Sequence, residues 1–152
     1  MKSTKDNLYN RYWELALDRI HKNHDKCFSK VKSTNGTQKN GYFGINHFSL
    51  ACLINQKSAI VGVYLSKPEK EKVTNKAAFD YLFTHKDEIE NDLGATVNWH
   101  RNSNEVSSKV TIILDNVSIE NKDDWEKMSR FHADWIRKFY DVIVPYLVHF
   151  MN

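Results

Sequence analysis

The sequence predicts an α+β domain: a mostly antiparallel four-stranded sheet packed with helices, in the order α-ββ-α-ββ-α. Three observations lead there. Apolar residues recur at steps of three and four near the start, in the middle and at the end of the chain. Two pairs of short segments rich in Ile, Val, Phe and Tyr lie between those stretches. A short polar turn joins the members of each pair.

Taken in order, residues 7–32 carry Leu8, Tyr12, Leu15, Ala16, Ile20, Cys27, Phe28 and Val31 at helical spacing without Pro or Gly, so the spacing predicts one long amphipathic helix. The following "STNGTQKNG" is a turn-rich polar loop. Residues 42–54 and 58–66, separated by "NQK", predict a hairpin. After the charged "KPEKEK", Thr74 or Asn75 caps a second helix through Leu93, and Gly94 closes it in the left-handed conformation that suits glycine. Residues 96–101 and 106–114 predict a second hairpin. In the first of these strands Val97 and Trp99 point one way, with Arg101 returning to that side at the rim, while Asn98 and His100 point the other. A last helix begins near Asn121, with acids in its first turn, and Pro145 predicts a bend near residues 141–142. Its apolar stripe includes His132, which reads as a hydrogen-bonded core histidine.

At 152 residues, with 41% apolar and 27% charged residues, residues 1–152 read as a single domain that needs no disulfide or metal to fold. Cys27 and Cys52 sit among apolar neighbours, which suits a reducing compartment; whether they are bridged stays open. No export signal and no apolar run of membrane-spanning length is evident, so the expected location is cytoplasmic, with no membrane partner. The net charge is +3, yet residues 19–40 hold six Lys or Arg (Arg19, Lys22, Lys26, Lys30, Lys32, Lys39) against the single acid Asp25. Such a local excess attracts phosphate or acidic protein surfaces at long range, although a solvated helix face is the commoner origin of such runs.

The residues Asn75, Lys76, Phe79, Asp80, Leu82, Ile89, Glu90, Leu93, Gly94, Trp99 and Lys109, together with "RYWELAL" and "DDWEKMSRFHADWI", make the chain resemble the bacterial and archaeal family called domain of unknown function 4268. The resemblance spans nearly the whole chain. It implies no defined activity, but it implies company, because domains of this family often follow a restriction-nuclease-like domain. It also implies an Arg and a Glu on the second strand, as in "ARVELYI", where this chain reads "AIVGVYL" with Ile60 and Gly62 in those places.

No catalytic constellation stands out. His21, His24 and Cys27 form H-x-x-H-x-x-C, but on a helix the first and last of these are about 240° apart around the axis, so no metal site is expected. The acid and acid-x-Lys pattern of a magnesium nuclease is missing from the strands, as are G-x-S-x-G and a Gly-rich phosphate loop, and no cofactor is implied. Glu14 and Asp18 at i, i+4 read as a solvated face paired with Arg11 or Lys22.

The expectation is therefore a non-enzymatic binding or accessory domain for a protein or a nucleic acid, linked through the family resemblance to nuclease or defence systems. Its binding residues would be Arg19, Lys22, Lys26, Lys30 and Lys32 on the first helix, with His100, Arg101 and Lys109 on the second hairpin. The alternative is a hydrolase or nuclease whose site assembles from scattered His100, Glu90, Asp80 and His21. The apolar terminal helix leaves two outcomes open: a homodimer through Tyr146, Leu147 and Phe150, or burial of those residues in the chain's own core.

Overall fold

The computed structural model describes residues 4–23, 27–33 and 36–152, with the backbone alone in 4–7. His24, Asp25 and Lys26, and with them part of the expected basic run, lie outside the described residues. The fold is α+β. Five strands, β1 (Gln38–Tyr42), β2 (Phe48–Ile54), β3 (Ser58–Leu65), β4 (Asn98–His100) and β5 (Ser108–Asp115), form one antiparallel sheet in the order β1-β2-β3-β5-β4. The helices are α1 (Thr4–Asn23), α2 (Lys72–Thr84), α3 (Lys86–Leu93), α4 (Trp125–Val142) and α5 (Val144–Met151).

The strand registers sort the sheet into two faces. Leu50, Val63 and Val110 align across β2, β3 and β5, as do Cys52, Val61 and Ile112, and these belong to the core side. Helices meet the sheet from that side. From α1, Tyr12 donates a hydrogen bond to His132 Nδ1 (2.6 Å), and from α4 the other ring nitrogen of His132 donates to the Leu53 carbonyl (3.0 Å). From α2, Phe79 packs edge-on against Trp99, and from α3, Glu90 holds the Trp99 indole N–H (3.2 Å). His132 is fully buried between a hydroxyl donor and a carbonyl acceptor, and burial pushes its pKa down to about 4. It is the core histidine that the apolar stripe predicts.

Four expectations are corrected, each for a physical reason. The sheet has five strands, because the polar "QKNGY" pairs as the edge strand β1 through its backbone and has no apolar alternation to announce it. Gly41 is required there: a Cβ at this position would come within 2.5 Å of the Phe28 ring and 2.8 Å of the Cys27 Cβ. The stretch 42–54 divides into β1 and β2 around a loop in which Gly44 and His47 take positive φ. The first helix ends at Asn23 rather than Lys32. Cys27, Phe28 and Val31 keep helical spacing, but Phe28 is buried from an irregular segment whose carbonyl meets the His21 ring (2.8 Å).

The second helix is two helices. Thr84 Oγ1 donates back to the Tyr81 carbonyl (2.7 Å), and His85 leaves helical geometry at φ −104°. Gly94 then ends α3 in the left-handed conformation at φ 74°, as expected. The terminal helix breaks at Ile143, one residue beyond the expected bend, because Pro145 has no N–H and crowds the carbonyl four residues back. Leu147 is buried, while Tyr146 and Phe150 are half-buried with their rings against Tyr81 of α2. Cys27 and Cys52 are free thiols. Among the described residues no helix is long and apolar enough to cross a membrane.

Candidate functional site

Most residues that carry the family pattern build the helix side of the fold. Asn75 accepts from the Lys67 amide (3.0 Å) and donates to the Lys67 and Val106 carbonyls (2.9 and 2.8 Å), tying the exit of β3 to the start of the β5 segment. Lys76 turns its ammonium inward onto the carbonyls of Arg101, Asn102 and Ser107 and onto Ser108 Oγ, at 2.7 to 2.9 Å. Burial lowers its pKa, and the carbonyl ring satisfies the charge. Glu90 accepts from the Val97 amide (2.9 Å) as well as from Trp99, and the Val97 bond holds its pKa below the ordinary carboxylate value. Arg101 grips Asp80 with two bonds (2.8 and 3.0 Å), which lowers the Asp80 pKa. Together these contacts fix the β4–β5 hairpin onto α2 and α3. Each of these polar side chains has its partners within the fold.

The other face of the sheet carries no helix among the described residues, and it differs in composition. One transverse row, read across all five strands, is Tyr42, Ser49, Tyr64, Lys109 and His100. The row beside it is Asn40, Ala51, Gly62, Thr111 and Asn98, small at the centre and amide at both ends. Tyr64 leans back over Gly62: a Cβ at residue 62 would meet the tyrosine ring at 2.8 Å and the Thr111 methyl at 2.9 Å. The Lys109 ammonium lies 5.6 Å from the Tyr64 ring centroid. Tyr42, at the open end of the row, is 59% exposed. Neither row contains a carboxylate; among the paired strand residues Asp115, at the far end of β5, is the acid on this face. His100 lies 3.5 Å from Thr111 Oγ1, and burial, aided by the neighbouring Lys109, lowers its pKa, so it is neutral at pH 7. Lys109 is then the standing charge of these two rows.

The residues expected to bind are thus divided. His100 and Lys109 come together on the open face. Arg101 is committed to Asp80 on the helix side. At the end of α1, Arg19 pairs with Glu126 of α4 and Lys22 with Asp18 (3.0 Å), while Lys30 and Lys32 are exposed in the segment that follows. A surface cleft of about 540 Å³ there is lined by Glu14, Asp18, His21 and Lys32 among others. In it the His21 ring meets a backbone carbonyl and Asp18 faces Lys22. The residues of the enzymatic alternative do not share a site: Glu90, Asp80 and His21 each hold a different structural partner, and His100 faces away from them.

The sequence reading missed Tyr42, Tyr64 and Gly62. A signal was present in β3, whose residues of one parity (Ala59, Val61, Val63, Leu65) are uniformly apolar while the other parity (Ser58, Ile60, Gly62, Tyr64) is mixed, the mark of a face that need not be buried. Ile60 and Gly62, where the resemblance implied Arg and Glu, both belong to this open face.

The family model described as "Domain of unknown function (DUF4268)" matches residues 8–147, most of the chain, and the chain belongs to this family. No curated protein and no solved structure matches it.

Proposed function

We propose that this member of the DUF4268 family is a non-catalytic binding domain that holds nucleic acid on the open face of its sheet. The observation that supports this most is the row Tyr42–Ser49–Tyr64–Lys109–His100: aromatic rings, hydroxyls, one lysine and one neutral histidine, without a carboxylate, on a face that no described helix covers. Aromatic and polar groups laid flat on a sheet suit bases and sugars, and a lysine beside them suits a phosphate. The basic end of α1 is the weaker candidate, since Arg19 and Lys22 are already engaged with Glu126 and Asp18. An accessory role beside a nuclease would follow the company that the family resemblance implies, and rests on that alone.

The test is a fluorescence-anisotropy titration of labelled DNA and RNA, single-stranded and duplex, at low salt. Binding should weaken as salt rises, and Lys109→Ala should lower the salt slope by roughly 0.7 to 0.9, the contribution of about one phosphate contact. Absence of binding to every oligonucleotide at low salt contradicts the proposal.

A further inference from the structure

We infer that the ligand of this face is a single strand running across the sheet, with bases stacked on Tyr42 and Tyr64 and a phosphate held at Lys109. The inference rests on the nucleic-acid reading above and narrows it to one class of ligand. Tyr42 and Tyr64 lie in the same row on β1 and β3, with the small Ser49 of β2 between them. They are therefore about 10 Å apart at ordinary strand spacing. Tyr42 offers an exposed ring to a base that has left its stack, and Tyr64 offers its ring once Lys109 turns from it to a phosphate; inside a duplex the base faces are stacked on one another and closed to both. Gly62 is what lets the Tyr64 ring lie down, because any side chain there would collide with the ring.

Neither row carries a carboxylate, so nothing on them draws a basic protein surface or repels a phosphate, and Lys109 stands between Tyr64 and His100 to hold one. The exposed amide of Asn98 at one end of the second row offers a donor and an acceptor to a base edge, and Asn40 at the other end, whose Oδ1 accepts from Gln38, offers its amide donor. Recognition of one strand by a sheet with two stacking aromatics takes two or three bases.

The experiment uses the full chain and fluorescein-labelled oligo-dT and oligo-U of about ten nucleotides, within the usual site size for single-strand binders, against a blunt duplex of the same length. Tyr42→Ala, Tyr64→Ala and Tyr64→Phe are compared, with thermal melts to confirm that each is folded. The single strands should bind at least about tenfold tighter than the duplex, each alanine should cost about tenfold, and Tyr64→Phe should retain binding because the ring remains. Tyr42 is exposed enough that its alanine variant reports binding even if Tyr64→Ala fails to fold. A preference between the DNA and RNA strands identifies the sugar and supports the inference either way. Equal or tighter binding of duplex, or single-strand binding indifferent to both alanines, overturns the inference and leaves the nucleic-acid reading standing. No binding to any of the three probes removes both.

Discussion

Trp99 and His100 are consecutive residues of the three-residue strand β4, and they serve two regions with opposite character. On the helix side Trp99 is gripped by Glu90 and packed on Phe79 and Phe83, beside Asn75 and Lys76, which bond hairpin carbonyls, and the Arg101–Asp80 pair. On the open side His100 sits beside Lys109 and near Thr111 of the next row, and the rings of its own row remain within reach of solvent. Most of the residues that mark the family hold the hairpin in place, Lys109 on the open face being the exception. Those that distinguish this chain's surface occupy the alternate positions of the same strands.

Substitutions on the two faces should differ in effect, and the helix side should respond most in stability. His132 has a folded pKa of about 4 against an ordinary 6.5, so between these values the unfolded chain takes up a proton that the folded chain refuses. Its contribution is therefore complete above pH 6.5 and is lost as pH falls toward 4, the loss amounting to about 3 kcal/mol at the lower end. Urea melts at pH 7 and pH 4 should show a loss of this order, and His132→Gln should flatten it.

Next in size is Lys76→Met, which leaves the Asn102 and Ser107 carbonyls without their Lys76 donor while the Arg101 carbonyl keeps Ser108, and should cost about 2–3 kcal/mol, read as a lower urea midpoint. A variant as stable as the parent would mean that the carbonyl ring does not hold the hairpin. Gly94→Ala follows at about 1 kcal/mol, because φ 74° strains any residue with a Cβ. At the other extreme Tyr42→Ala should leave stability within about 0.5 kcal/mol, since its side chain is mostly exposed, while it weakens single-strand binding. If that substitution proves as destabilising as those on the helix side, the contrast between the two faces fails.

Much of this was legible in the sequence where the signal is local. Gly94 as a cap, Pro145 as a break, His132 as a core histidine and the opposed directions of Trp99 and His100 all follow from a few adjacent residues, and the structure agrees with each. What escaped depends on pairing across the chain. The strand β1 is held by backbone bonds to β2 and has no apolar pattern of its own. The spacing of Cys27, Phe28 and Val31 is helical, yet Phe28 is placed by contact with Gly41. The basic run suggested one surface together with the second hairpin, but Arg101 turns to Asp80, and His100 and Lys109 project from the opposite face of the strand. Tyr42 and Tyr64 meet in one row only because β2 stands between their strands, a relation that no local spacing encodes.

The central claim is that ligand lies on the open face, and amide chemical-shift mapping tests it most directly. Unlabelled oligo-dT or oligo-U is titrated into nitrogen-labelled protein at low salt, and the shifted amides are placed on the fold. The largest shifts should fall at and beside Tyr42, Ser49, Tyr64, Lys109 and His100, with α4 unchanged. Shifts centred instead on Arg19, Lys22, Lys30 and Lys32, or no shifts at saturating oligonucleotide, would contradict it.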